Sequence, residues 1–222
     1  MTLRKWLALC GVAAAVLVPL AIFVVGGSGS PQDDASAAKV MSFYRDHKTA
    51  NKAAALMVAI AAVLLVLFAA RLREVLRGSD IGVDALPLAA FGGAVVASAG
   101  MAFAAVTHFA LISAVDHRFV TEAHTLNVLD NTAFLAVAIG FAALFLAAGI
   151  ATVRQPVLPH WLGWAAILIG ILSIAGPIGF LGFVLGLVWI LVVGIMLCVR
   201  KDTDAVGAVK VTASANPVER ST

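Results

Sequence analysis

The sequence predicts an all-α fold: a polytopic transmembrane helical bundle with six spans and both termini inside the cell (N-in/C-in). Three observations support this prediction. Of the 222 residues, 62% are apolar and 12% are charged, whereas roughly a quarter of the residues in a soluble domain are charged. The apolar residues form blocks of about 20 residues or more, enough for a helix to cross hydrocarbon. Lys and Arg lie between these blocks, mostly on one side of the predicted membrane.

Each apolar block predicts one span, except the last, which is long enough for two. The four single spans are Trp6–Val25, Ala53–Ala70, Leu86–Phe109 and Thr132–Val153. The last block, Trp161–Val199, has Gly176-Pro177 near its middle. Because proline lacks an N–H and disfavours helix in the residue before it, we expect two spans joined by a tight turn. One broken span is the alternative.

The positions of Lys and Arg favour six spans over five. With six spans the inner side holds ten of these residues: Arg4, Lys5, Arg71, Arg73, Arg77, Arg154, Arg200, Lys201, Lys210 and Arg220. The outer side then holds five: Lys39, Arg45, Lys48, Lys52 and Arg118. A five-span chain would place the C-terminal charges outside and reverse the ratio. Inner loops of membrane proteins carry the excess of Lys and Arg, so six spans are predicted.

The two ends of the chain receive different predictions. Arg4-Lys5 followed by an apolar run is typical of a signal peptide, but the run here is longer than the roughly 7–15 residues of such peptides. We therefore expect a retained anchor, and residues 1–200 form one six-helix transmembrane domain. Residues 201–222 are polar and rich in small side chains, which predicts a disordered cytoplasmic tail. The net charge is +3, but the basic residues are scattered and form no continuous stripe. No nucleic-acid partner is therefore expected.

Two outer segments separate the predicted spans. In the outer loop 26–52, Val40, Phe43, Tyr44 and His47 recur at helical spacing, which predicts a short helix lying at the membrane interface. An outward extension of the second span is the alternative. The second segment, the outer loop 112–130, is rich in polar and ionisable residues.

The middle of each predicted span is free of ionisable side chains. No Asp, Glu, Lys, Arg or His falls in the two central turns, and only Ser98 and Ser173 place a hydroxyl at that depth. A serine hydroxyl can bond a carbonyl of its own helix. Ionisable groups inside a membrane usually mark ion or proton pathways. Proton relays, voltage sensors and ion-coupled pumps are therefore disfavoured, and with no nucleophile motif or buried general base we predict that the chain is not an enzyme.

Polar residues gather at the outer rim, where they could hold a metal ion or a haem. The candidate ligands are His108, Asp116, His117, His124 and Asp130. Imidazole nitrogen suits zinc, copper and haem iron, and a carboxylate could add an oxygen ligand. The spacing matches no metal motif, however, and water-facing loops are polar in any case. We therefore favour a solvated loop and predict no cofactor.

Helical geometry makes two further predictions for this rim. If the approach to the fourth span is helical, His117, Thr121, His124 and Asn131 form one continuous polar stripe. Asp130 stands directly before Asn131-Thr132 and the fourth apolar block, where it is expected to cap the helix N-terminus.

Small residues recur at helical spacing and predict helix-packing surfaces. Gly182 and Gly186 form a GxxxG pair, with Gly194 further along. A second ridge consists of Ala90, Ala94, Ser98 and Ala102. Small residues let helix backbones approach closely in lipid. Packing within one chain is the favoured interpretation, and a homo-oligomer is the alternative.

Three stretches of sequence carry a resemblance to a family. They are Ala35–Ala38 leading into Phe43-Tyr44 and His47, Leu129–Phe134 at the fourth span, and the Leu158–Trp164 run with its Pro-x-Trp-Leu-Gly-Trp pattern. In these stretches the chain resembles a group of uncharacterised six-span integral membrane proteins common in actinobacteria. The resemblance implies six spans and a location in the plasma membrane, and it implies no activity or site residues.

These features lead to one functional expectation and two alternatives. We expect a multi-pass plasma-membrane protein that acts as a non-enzymatic structural or interaction module through the lipid bilayer or protein partners. The first alternative is a permease for a small neutral solute, which needs no buried charge. The second is a metal- or haem-binding protein of the outer rim.

Overall fold

The structure, a computed structural model, describes residues 2–26, 30–77, 85–155, 157–175 and 179–200. Within these ranges the chain forms seven α-helices and one π-helical turn: α1 (Leu3–Pro19), the π-helical turn (Leu20–Val25), α2 (Ala37–Asp46), α3 (Lys48–Arg77), α4 (Ala85–Asp116), α5 (Val120–Arg154), α6 (His160–Ile174) and α7 (Gly179–Val199). The predicted tail 201–222 and the turn at Gly176-Pro177 lie outside the described residues.

Five helices in the described ranges are long and apolar enough to cross a membrane: α1 with its π-helical turn, α3, α4, α5 and α7. This confirms the prediction of a helical, multi-pass membrane protein. The fifth predicted span corresponds to α6, which has only 15 residues and is about 22 Å long. That is shorter than the ~30 Å of a typical hydrocarbon core. The last apolar block is nevertheless two helices, as predicted, and α6 packs against α7.

Two hydrogen bonds lie at one end of the bundle, where the described chain begins and ends. Cys198 near the end of α7 lies with its Sγ 3.8 Å from the Lys5 carbonyl oxygen, at the start of α1. The Arg200 guanidinium donates to the Val157 carbonyl oxygen at 3.2 Å, beside the start of α6. We call this end the Lys5 end. The opposite end carries α2 and is called the α2 end.

Helix α2 is a separate helix that packs on protein. Ser36 caps it by accepting a 3.4 Å hydrogen bond from the Lys39 N–H, and His47 separates it from α3. Its apolar residues Val40, Met41 and Tyr44 are buried against residues of α4 and α5. The helix expected around residues 37–47 is thus present, and its apolar face contacts neighbouring helices instead of remaining open to lipid.

The segment 112–130 is almost entirely helical. Helices α4 and α5 continue into it from both sides, and only residues 117–119 separate them. Arg118 adopts a left-handed conformation with φ of 59°, which ends α4 because a helix cannot continue through it. The two longest helices therefore project beyond the membrane length at the α2 end and provide the surface on which α2 packs.

Candidate functional site

A cavity of about 230 Å³ lies at the α2 end of the bundle. Helix α1 with its π-helical turn, α3, α4, α5 and α7 each contribute to its wall. Most of the wall is apolar, including Val18, Ile22, Val58, Met101, Ala104, Phe134, Val137 and Phe183. Four polar side chains lie together at one end of the cavity: Ser30, Asn51, His108 and Asp130. The cavity is therefore amphiphilic, with an apolar body and a polar head.

The polar head is centred on a histidine and a carboxylate from adjacent helices. His108 of α4 places its Nδ1 2.8 Å from Oδ2 of Asp130 in α5. Their side chains are only 16% and 15% exposed. The hydrogen bond between His108 and Asp130 is strong, because a carboxylate is a charged acceptor and little water reaches the pair.

Asn51 of α3 holds the other side of the imidazole. Its Nδ2 donates a 3.0 Å hydrogen bond to the His47 carbonyl oxygen, and its Oδ1 lies 3.1 Å from His108 Nε2. Asn51 is 2% exposed. Because a carbonyl oxygen can only accept, the bond to His47 fixes the amide so that its oxygen faces the imidazole.

Tyr44 covers the histidine from α2. Its ring meets the imidazole edge-on, with centroids 5.4 Å apart, and the side chain is 1% exposed. The buried hydroxyl of Tyr44 makes no hydrogen bond. The nearby Ser30 side chain favours the ionised form of Tyr44, but this is the smallest of the influences on its pKa. The pKa of Tyr44 is raised above its ordinary range. Burial is the larger cause, and the nearby Asp130 carboxylate is the second.

The two helices place this pair at the same height. His108 lies 23 residues after Ala85 at the start of α4, and Asp130 lies 24 residues before Arg154 at the end of α5. At 1.5 Å per residue both are about 35 Å from the Lys5 end, just beyond the ~30 Å of a hydrocarbon core. The cavity extends from this level toward the bundle middle. Met101 and Val137, each seven residues deeper, are about 10 Å below the pair.

The five predicted metal ligands do not form one cluster. His108 and Asp130 are paired, but Asp116 instead binds Lys48 Nζ at 2.7 Å. His117 contacts the Ser113 carbonyl oxygen at 2.9 Å and stacks on Phe119. His124 lies half-buried in the second turn of α5. No group of three or more His, Cys, Asp or Glu suited to a metal ion occurs among the described residues.

Two predictions for the rim were wrong. Asp130 does not cap a helix, because α5 begins ten residues earlier at Val120, and its carboxylate binds His108 instead. The polar stripe is also broken: His117 lies in the turn at Arg118, outside the helix that carries Thr121, His124 and Asn131. The capping prediction failed because α5 continues past its apolar block, where α2 covers Ala123. The stripe is broken because the left-handed conformation of Arg118 separates His117 from α5.

Asn131 and Asn127 have a role of their own. The Asn131 amide donates to Asp33 Oδ1 at 2.8 Å and to the Pro31 carbonyl oxygen at 3.2 Å. Asn127 donates to the same Pro31 carbonyl oxygen at 3.3 Å. These bonds fix the segment before α2 onto α5, next to the cavity mouth at Ser30.

The predicted packing residues are buried within the chain, except Ala102, which is exposed on α4. A Cβ atom on Gly182 would come within 2.6 Å of Ser173 N in α6, and one on Gly186 within 2.6 Å of the Phe145 ring. Gly194 faces Val12 and the Ala8 carbonyl oxygen of α1. Ala90, Ala94 and Ser98 are buried on α4.

Sequence reasoning missed the role of Asn51 and the tightest helix contacts. Asn51 stands in a polar run before an apolar block, where it has the pattern of an ordinary water-facing residue. Gly93, Gly100 and Gly140, at which α4 and α5 approach most closely, were not singled out. Their spacing of seven residues from Gly93 to Gly100 was the available signal.

The five long apolar helices class this chain as a multi-pass membrane protein. Comparison with protein-family models, with curated proteins and with solved structures gave no match. The function is therefore inferred from the geometry of the cavity and the chemistry of the residues at its polar head.

Proposed function

We propose that this protein is a six-span plasma-membrane protein that binds a small amphiphilic molecule in the cavity at its α2 end and catalyses no reaction. One observation carries the proposal: an apolar cavity within the bundle ends in a buried, hydrogen-bonded polar head. Ligand sites have this composition, with an apolar wall and a few polar groups that orient the ligand. The ligand enters with its apolar part toward Met101 and its polar group toward Asp130.

The charge distribution supports an orientation with the α2 end outside. The Lys5 end carries Arg4, Lys5, Arg154 and Arg200 among its residues, and inner surfaces of membrane proteins are rich in Lys and Arg. The contact between Cys198 and Lys5 joins the start of α1 to the end of α7, which supports an even number of spans. The cavity then opens at the level of the outer lipid headgroups.

The state of the histidine supports a binding role over catalysis. A general base needs a free nitrogen within reach of the proton it removes. Both ring nitrogens of His108 are already engaged, one by Asp130 and the other by Asn51. The imidazole is held as part of the wall, and the free oxygen of Asp130 is the group left to meet a ligand.

The permease alternative requires the cavity to connect with the Lys5 end as well. Directly below Val137, the rings of Phe141 and Phe145 are fully buried and packed edge to face. They fill the bundle on the α5 side, which supports a closed-ended binding site. Uptake of neutral solutes into proteoliposomes distinguishes the two functions, and optical spectra with metal analysis of the purified protein test the metal or haem alternative.

Photolabelling tests the binding proposal directly. The purified protein in lipid nanodiscs is irradiated with a diazirine derivative of octanol, and labelled peptides are mapped by mass spectrometry. We expect label at Met101, Phe134 and neighbouring wall residues. Ala104→Phe, which fills the cavity from its wall, should remove this label.

Ala102→Phe on the exposed face of the same helix is the matched control and should leave the label in place. Label spread evenly over the lipid-facing residues, with no difference between the two variants, would contradict the proposed function.

A further inference from the structure

The hydrogen-bond geometry of the polar head indicates where its protons lie. Asn51 Oδ1 is an acceptor, so His108 Nε2 must donate to it and carries a hydrogen. On the other side of the ring, Nδ1 faces Asp130 Oδ2 at 2.8 Å. The imidazole thus lies between two acceptor oxygen atoms, Asn51 Oδ1 and Asp130 Oδ2, so a further proton is required between Nδ1 and Oδ2.

That proton has two equivalent descriptions. Either the imidazole carries both hydrogens beside an Asp130 carboxylate, or the imidazole is neutral and a protonated Asp130 donates to Nδ1. In both cases the pair holds one proton more than a neutral imidazole beside a carboxylate, and its net charge is zero.

Loss of this proton changes the pair in two ways. Its net charge becomes −1 beside an apolar cavity, where an uncompensated charge is costly. The remaining hydrogen moves to Nδ1 to keep the bond to Asp130, so the Nε2 lone pair faces Asn51 Oδ1. The amide must then turn over and give up its bond to the His47 carbonyl oxygen. A positive charge delivered into the cavity would compensate the first of these costs.

The surroundings of the pair suit a cation. Ser30 lines both the cavity and an adjacent recess formed with Asp33 and Asp34, so acidic groups flank the mouth. Within the cavity, Phe134 and Phe183 present aromatic rings, centroids 5.4 Å apart, which attract cations through their faces.

The neighbouring elements bring few opposing charges. From α3, Lys48 is neutralised by Asp116 and Lys52 is exposed to solvent. Helix α2 contributes Tyr44, which is uncharged at neutral pH. The cavity-lining residues of α1, the π-helical turn and α7 are all apolar: Val18, Ala21, Ile22 and Phe183.

From these observations we infer that the cavity binds an organic monocation with an apolar body, an amine or a quaternary ammonium, in exchange for the proton held between His108 and Asp130. The inference rests on the proposed binding function and names its ligand class. In the exchange the cation enters beside the Asp130 carboxylate, one proton leaves to solvent, and the pair with its ligand stays electrically neutral.

The test uses benzyltrimethylammonium and its uncharged isostere neopentylbenzene as competitors of the octanol photolabel, in nanodiscs of uncharged phosphatidylcholine. We expect the cation to displace the cavity label. Its half-effective concentration should fall about tenfold per unit rise in pH while the pair is protonated, because one proton is exchanged per cation. Calorimetry in two buffers of different ionisation heat should count close to one proton released per cation bound.

Asp130→Asn should abolish both cation competition and proton release, whereas Asp46→Asn, an exposed carboxylate on α2, should change neither. Cavity labelling that neopentylbenzene displaces as well as the cation does, with no pH dependence and no proton released, would overturn the cation exchange and leave the binding function standing. Absence of cavity labelling in the wild-type protein would overturn both. The proton count on the wild-type protein decides the matter even if the Asp130 variant fails to fold.

Discussion

Gly140 of α5 lies directly against the backbone of Ala97 in α4, with no space between the helices for a side chain at position 140. Gly93 of α4 faces the backbone of Leu144 in the same way. Helices in lipid associate through such close backbone approach, because no hydrophobic force drives them together. This contact sets the relative position of the two helices that carry His108 and Asp130.

We predict that Gly140→Ala destabilises the protein by about 1–3 kcal/mol, because a Cβ atom would overlap Ala97 and force the helices apart. Gly92→Ala is the matched control: no atom lies within 4 Å of a Cβ at that position. It should be neutral or stabilising by up to about 1 kcal/mol through helix propensity. Unfolding in mixed detergent micelles measures both. Equal effects of the two substitutions would contradict the packing described here.

Trp189 should contribute to stability through a buried hydrogen bond. Its indole Nε1 donates to the Leu162 carbonyl oxygen at 2.9 Å, joining α7 to α6, and the side chain is 3% exposed. Trp189→Phe should cost at least about 1 kcal/mol of unfolding free energy. Trp164→Phe is the control, because Trp164 is 63% exposed and should change stability little. A larger loss for the Trp164 variant would contradict this assignment.

Alkaline pH should expose the state of Tyr44. The fold raises the pKa of Tyr44, so its neutral form stabilises the folded state. That contribution is complete below the ordinary tyrosine pKa of about 10 and is lost as pH rises above it. We expect the free energy of unfolding to fall above about pH 10, with a smaller decrease in Tyr44→Phe. Since Tyr44 is the only tyrosine, the tyrosinate absorbance near 295 nm should appear together with unfolding. Its appearance in the folded protein at pH 10 would argue against burial.

The proposed orientation can be tested with single cysteines. In a background with Cys10 and Cys198 replaced by Ala, a membrane-impermeant maleimide is applied to intact cells. We expect Asp46→Cys to react, and Arg4→Cys and Arg200→Cys to react only after the membrane is permeabilised. Reaction of position 200 from outside, with position 4 protected, would require an odd number of spans.

The extents of the long helices show what apolar patterning can and cannot predict. Every long apolar block became a helix, since a backbone in lipid must satisfy its hydrogen bonds internally. The ends were less predictable. Asp130 stands before an apolar block and was expected to cap it, but α5 extends ten residues further because α2 covers that surface. The covering helix is distant in sequence, so no local pattern around Asp130 signals it.

The residues of the candidate site divide in the same way. The cluster of His and Asp at the α2 end was visible as a set of residue types, and His108 and Asp130 were among the candidates. Their pairing was not predictable, because they are 22 residues apart and meet only through the height and rotation of two packed helices. Asn51 is 57 residues from His108 and was not a candidate at all.

Composition and the spacing of apolar blocks by themselves determined that this chain is a bundle of membrane-length helices with its ionisable side chains kept toward the ends, because hydrocarbon penalises unpaired charge and unbonded backbone wherever they occur in sequence. Only the tertiary structure decided that His108, Asp130 and Asn51 share one hydrogen-bonded network at the head of an apolar cavity. Hydrogen-bond direction and cavity shape depend on how four helices pack, and that information is spread over distant parts of the chain.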